Sequence, residues 1–170
     1  PAGGVTRNIY SPGGRLVATI APDGTRTDHE YDSAGRRVLT RLPAVPVGSS
    51  GALVRPEWRY EYEGDRLVAQ IDPLGRRRDI TYDAANRSVT VRLPDGTTAT
   101  EFRDQWGRPV RRVDQEGRDI TFAYVADTGW LQSVTLPPPV NGQSAVIWRF
   151  GYDEAGQRVS QTDPLGRVTR

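Results

Sequence analysis

The sequence holds no cysteine, no lysine and a single histidine, His29. Without cysteine there is no disulfide framework, no Cys-ligated zinc and no thiol nucleophile. One histidine excludes a His-rich metal site and a multi-His relay, so no metal and no cofactor is expected. No apolar run approaches the ~18 residues of a membrane-spanning helix. Long helices are excluded as well: 18 Gly and 13 Pro in 170 residues far exceed their combined average share of ~12%. That density of chain-breakers points to short strands joined by turns. The start, Pro1-Ala2-Gly3-Gly4, has neither an initiating methionine nor a basic-then-apolar signal pattern. It reads as a piece excised from a longer protein.

Charge is abundant but balanced. All 23 basic residues are arginine, against 21 acidic residues, for a net +2. The arginines are dispersed among carboxylates, and the longest run, Arg76-Arg77-Arg78, is followed at once by Asp79. A nucleic-acid binder clusters its basic residues on one face. This pattern is instead a solvated, salt-bridged surface, and no nucleic-acid partner is expected.

What is present is a repeat. Short turn signals fall at Gly14-Arg15, Gly35-Arg36, Asp65-Arg66, Asn86-Arg87, Gly107-Arg108, Gly129-Trp130 and Gly156-Gln157, with spacings of 21, 30, 21, 21, 22 and 27. A second glycine (Gly24, Gly75, Gly96, Gly117, Gly166) follows by 10 residues wherever it occurs. The unit is two strand-length legs with a turn after each, about 21 residues long, and seven copies fill residues 1–170 as one array. The two long spacings contain Pro/Gly-rich insertions near 43–56 and 137–146. Each replaces a second turn, and each is followed by a matched triplet, Trp58-Arg59-Tyr60 and Trp148-Arg149-Phe150.

The turns follow simple chemistry. In Tyr31-Asp32-Ser33-Ala34-Gly35-Arg36, the Asp accepts from backbone N–H groups ahead of it and the Gly takes the left-handed conformation that ends the turn. Tyr82-Asp83-Ala84-Ala85-Asn86-Arg87 places Asn86 in that left-handed role. Gly64-Asp65 is a two-residue primed-turn signal. Asp72-Pro73-Leu74-Gly75-Arg76 and Asp163-Pro164-Leu165-Gly166-Arg167 preset the second turn with proline. Turns are expected at 32–35, 72–75, 83–86, 93–96, 104–107, 114–117, 153–156 and 163–166. The legs alternate, but with unequal parity: Leu16, Ala18, Ile20 and Leu67, Ala69, Ile71 lie on even offsets from the turn, whereas Val89, Val91, Leu93 lie on odd ones. Either bulges shift the register or both faces are half-buried.

Tyr-Asp-x-x-Gly-Arg followed by Asp-Pro-x-Gly-Arg resembles the YD repeats of rearrangement-hotspot (Rhs) proteins, toxin-complex C subunits and teneurins. The anchors that carry the resemblance are Tyr31, Asp32, Gly35 and Arg36; Asp72, Pro73, Gly75 and Arg76; and Tyr82, Asp83, Asn86 and Arg87. They continue with Asp104, Gly107 and Arg108, with Tyr152, Asp153 and Gly156, and with Asp163, Pro164, Gly166 and Arg167. Arg103 stands where the motif has tyrosine, beside Phe102. The resemblance implies an all-β fold, tandem hairpins in a continuous antiparallel sheet that curls into a hollow shell. It implies a non-catalytic shell segment enclosing a C-terminal toxin and delivered by secretion, often of type VI, to the exterior or cell surface. The partners implied are flanking repeats of the same protein and the enclosed polypeptide. The alternative is a cell-surface module binding glycan or receptor, with Trp58 and Trp148 as candidate stacking residues.

Family shells end in a self-cleaving pair of aspartates within Asp-Pro-x-Gly-Leu, two acids sharing one proton. Asp72 and Asp163 share the first part of that motif but are followed by Arg76 and Arg167, so they are expected to be turn formers. His29 neighbours Glu30 and Asp32, which would raise its pKa, and is expected on an exposed strand. The tyrosines are expected to pack across strands, and the arginines after the turn glycines to form a ladder with Asp between neighbouring hairpins.

Overall fold

The computed structural model describes residues 4–49, 51–139 and 144–170. Among them there are seventeen strands and no helix. In chain order they are β1 (Arg7–Tyr10), β2 (Leu16–Ile20), β3 (Arg26–Tyr31), β4 (Arg37–Arg41), β5 (Val45–Val47) and β6 (Ala52–Val54). They continue as β7 (Glu57–Glu63), β8 (Arg66–Ile71), β9 (Arg77–Asp83), β10 (Ser88–Arg92), β11 (Thr98–Arg103) and β12 (Pro109–Val113). The last five are β13 (Asp119–Tyr124), β14 (Leu131–Leu136), β15 (Val146–Tyr152), β16 (Arg158–Thr162) and β17 (Val168–Thr169). Fifteen of them form one antiparallel sheet in strict chain order, and β5 with β6 forms a separate hairpin. Contacts group into two units, Pro1–Ile80 and Thr81–Arg170.

Seven of the eight expected turns stand where the spacing puts them. In each, the glycine N–H donates to the carbonyl three residues back at 2.9–3.1 Å, and the same geometry holds at Ser11–Gly14 and Ala21–Gly24. Gly64-Asp65 links Glu63 to Arg66 as a two-residue loop, with φ +54° at Gly64 alone, the signature of a type II′ turn. The eighth turn is displaced by one residue. Arg87, not Asn86, carries the positive φ (+47°), and its N–H donates to Ala84 at 3.4 Å. The cause is Asp83, whose carboxylate takes both the Asn86 N–H (3.1 Å) and the Asn86 amide (2.6 Å), so the left-handed residue moves one place on. The first insertion is the β5–β6 hairpin. Residues 140–143 of the second lie outside the described residues.

Both answers to the parity question hold. Six hairpins shift register by one residue beside the anchor position. The extra residues are Val17, Val38, Val68, Val110, Gln132 and Val159, all but one valine. The faces are also half-exposed: among the described residues only Ala18, Leu39, Thr40, Ala69 and Ser88 are buried, and no large side chain is fully so.

The two faces differ chemically within each unit. In the first, one face carries the rows Asp28–Arg41–Glu57 and Glu30–Leu39–Arg59–Ile71–Arg77, and the other carries His29–Thr40–Trp58 and Tyr60–Gln70–Arg78. In the second, Phe122–Val134–Trp148 lies on one face and Thr121–Thr135–Ile147 on the other. The charged face is a lattice of shared ions. Arg41 bridges Glu30 and Glu57, and Arg77 bridges Glu61 and Asp79.

The displaced turn is testable by urea unfolding. Arg87→Gly relieves the left-handed backbone and should stabilise the protein by up to about 1 kcal/mol. Asn86→Gly, which loses the Asp83 bond, should be destabilising. The opposite order would return the left-handed position to Asn86.

Candidate functional site

The recurring chemistry sits at the turns. Asp32, Asp72, Asp104, Asp114 and Asp163 each close a clamp within their own turn. One carboxylate oxygen accepts the backbone N–H four residues on at 2.8–3.0 Å. The other accepts the Nε of that same arginine (Arg36, Arg76, Arg108, Arg118, Arg167) at 2.5–2.7 Å. The expected ladder between hairpins is therefore corrected: these pairs are intra-turn, because the left-handed glycine folds residues i and i+4 onto each other. All five carboxyls are held below the usual range. For Asp32 the Arg36 guanidinium is the leading cause. For the other four, partial burial pushes upward and is outweighed by the hydrogen bonds from the arginine backbone and side chain. A carboxylate so held is a poor proton donor, and Asp72 and Asp163 are each taken up by their own turn.

A second contact joins one hairpin to the next. The hydroxyl of Tyr31 donates to the Leu16 carbonyl (2.8 Å), Tyr62 to Arg37 (3.1 Å), Tyr124 to Pro109 (2.8 Å) and Tyr152 to Leu131 (3.0 Å). Each acceptor directly follows the turn arginine, or Trp130, of the preceding hairpin. In three of the four, that preceding side chain covers the tyrosine ring. Arg36 lies 5.0 Å above Tyr62 and Arg108 4.3 Å above Tyr124, while Trp130 packs on Tyr152 at 5.3 Å. The same side chains press on the next turn: a Cβ at Gly129 would lie 2.7 Å from the Arg108 guanidinium, and one at Gly156 2.9 Å from the Trp130 ring.

The latch differs from the cross-strand packing expected of the tyrosines. A signal existed: six of the seven tyrosines occupy the anchor place, while all three phenylalanines lie elsewhere. A ring alone would not select for the hydroxyl. At Arg103 the latch is absent; that side chain turns to Glu101 (2.5 Å) and to the Gly107 carbonyl (3.1 Å).

The remaining candidates are strand residues. Trp58 and Trp148 are half-buried within β7 and β15. His29 is half-buried rather than exposed, with Nδ1 3.2 Å from the Thr40 hydroxyl. Its pKa is lowered, not raised: burial and Arg37 act downward against Asp28. Strand alternation puts Glu30 on the opposite face, and Asp28 is already paired with Arg26 and Arg55. Among the described residues no cluster of His, Asp and Glu could hold a metal ion, and no helix is long and apolar enough to cross a membrane.

Comparison with known proteins places these features. The RHS repeat family model matches residues 10–44, 60–98 and 139–169. The chain is 30% identical over 143 residues to "Probable deoxyribonuclease RhsB" of Dickeya dadantii, covering 84% of this chain and 9% of that protein. It is 30% identical over 118 residues to "Toxin protein Tse5" of Pseudomonas aeruginosa, covering 61% and 9%. A match to "tRNA nuclease WapA" of Bacillus subtilis covers 58% and 4%, at 30% identity. The chain thus spans less than a tenth of the length of these curated relatives. The crystal structure of TcdB2-TccC3-TEV superposes on 94% of the chain with a TM-score of 0.69 at 15% identity, over 9% of its own length. That of TcdB2-TccC3-Cdc42 gives 0.55 at 13% identity, over 94% of this chain and 11% of its own.

Two measurements test the turns. Gly156→Ala and Gly166→Ala both place a Cβ on a left-handed residue, but only Gly156 has a ring against it. In urea, Gly156→Ala should be the more destabilising by at least about 1 kcal/mol; equal effects would remove the Trp130 contact from the latch. The lowered carboxyls fix a pH dependence. Their contribution is complete above the unfolded value of about 4 and is lost as pH falls through the lower folded values. From about pH 7 to 5 the carboxyls add no slope and only the lowered His29 pKa gives a shallow decline as pH falls, whereas below about 4 the midpoint should drop steeply. A midpoint that holds steady down to about pH 2 would show that the clamps add nothing.

Proposed function

The chain belongs to the RHS repeat family, and from that membership we propose that it is a wall segment, without catalysis of its own, of a shell that encloses a toxin polypeptide. The observation that carries this reading is the latch. Four hairpins reach backward through Tyr31, Tyr62, Tyr124 and Tyr152, and Arg36, Arg108 and Trp130 reach forward, which supports a stacked array whose natural partners are flanking repeats. The relatives named as nucleases and toxin are matched over 4–9% of their length, which is consistent with a shared scaffold and leaves their activities to other parts of those proteins. The clamped aspartates support the absence of chemistry here. On this reading the parent is exported, with type VI secretion a natural route, and acts outside the cell or at its surface.

The test is protection. In the purified parent polypeptide, the segment C-terminal to the repeats should resist proteinase K while the sheet is intact. It should become sensitive when Tyr31→Ala and Tyr62→Ala are introduced together. Digestion at the rate of the separated segment would refute enclosure.

A further inference from the structure

Strands β10–β13 depart from the repeat at linked positions. Arg103 replaces the latch tyrosine. Val91 stands two residues before the second turn, where Thr19, Gln70 and Gln161 hold the place in other hairpins. Val91 pairs with Ala99, and Val89 lies in one row with Glu101, Arg112 and Ile120. Val89, Val91, Ala99 and Ile120 floor a concavity of about 380 Å³ on the face that also carries Phe122. The pair Val91–Ala99 is apolar where Thr19–Thr27, Gln70–Arg78 and Gln161–Thr169 are polar in other hairpins, which is one departure. The missing tyrosine ring is the other.

The charge beside that floor is unbalanced. Glu101 alone receives both Arg103 (2.5 Å) and Arg112 (2.6 Å). Asp114, also on the rim, is occupied by Arg118 at 2.7 Å and by the N–H groups of Glu116 and Arg118. Two guanidiniums therefore share one carboxylate. Asp28 and Glu57 are shared by two arginines in the same way; at Glu101 the shared pair lies beside the apolar floor. Arg112 gives Glu101 its Nε and Arg103 gives it a terminal nitrogen, which leaves N–H donors of both forks available for a second carboxylate.

We infer that this concavity binds an extended polypeptide segment in which a carboxylate side chain is flanked by apolar ones. The carboxylate meets Arg103 and Arg112, and the apolar side chains cover Val89, Val91, Ala99 and Ile120. A polypeptide fits better than a compact small molecule. The floor runs across four strands, about 14 Å at normal strand spacing, the reach of about four extended residues, and it is open above. The inference stands apart from enclosure, because it concerns what this surface recognises and not where the sheet is placed.

The probe is the peptide acetyl-Val-Leu-Asp-Leu-Val-amide, with its Asp→Asn twin, titrated into the ¹⁵N-labelled chain at low salt. Amide shifts should concentrate at residues 89–91, 99–103 and 112–120, and the Asp peptide should bind at least tenfold more tightly than the Asn twin. Glu101→Gln frees both guanidiniums and should tighten the Asp peptide at least threefold. Arg112→Gln should weaken it about tenfold, and Val91→Thr should weaken both peptides. Equal affinity of the two peptides for the unaltered chain, which needs no variant, would overturn the inference. So would shifts centred elsewhere, no binding at millimolar peptide, or weakening by Glu101→Gln. Sodium dodecanoate binding at these residues where the peptide does not would assign the surface to an amphiphile and also overturn it.

Discussion

The tyrosine hydroxyl that reaches back to the previous hairpin is the contact on which the rest depends. A two-stranded hairpin is marginal in water on its own, and among the described residues no large side chain is fully buried. Order has to come from neighbours. The latch supplies a directional bond, from Tyr31 to Leu16 or from Tyr152 to Leu131, and a ring for the preceding arginine or Trp130 to cover. It fixes spacing and register together, since the acceptor is one residue past the turn arginine or Trp130 and a slip of one residue would turn the hydroxyl to the wrong face.

The turn clamp and the latch share one side chain. Arg108 is bound by Asp104 through Nε, donates to the Gly129 carbonyl at 3.1 Å and lies over Tyr124. Its planar fork allows all three at once, which a lysine ammonium could not reproduce. The exclusive use of arginine in a chain without lysine has at least this physical basis. At Trp130 the charge is gone but the stacking on Tyr152 persists, which separates packing from pairing as the indispensable part of that contact.

Much of the fold could be read from the sequence, because Asp, Pro and Gly dictate turns locally and their spacing repeats. The all-β class, the antiparallel hairpins and seven of eight turns follow from that. What could not be read involves competition or distance. Asp83 offers its carboxylate to Asn86 and shifts the turn to Arg87, a contest between two local geometries that composition does not rank. Alternation alone leaves bulges and half-buried faces as equal readings of the unequal parity, because an extra residue looks like a change of face. The surroundings of His29 differ from its sequence neighbourhood because Glu30 lies on the other side of the strand. The latch was hidden behind ring chemistry, although the choice of Tyr over Phe at the anchors carried it.

The β5–β6 hairpin shows what this arrangement permits. It interrupts a second turn, and the sheet resumes across β4 and β7 as though nothing had been added. A first turn has less latitude, because the tyrosine before it and the arginine or tryptophan after it carry the contact between hairpins; the one that grows, Val125–Gly129, keeps both Tyr124 and Trp130. The sheet therefore has a sewn margin and a loose one. Novelty can accumulate along the loose margin without disturbing the stack, so new surface elements in such arrays should be inherited on one side only.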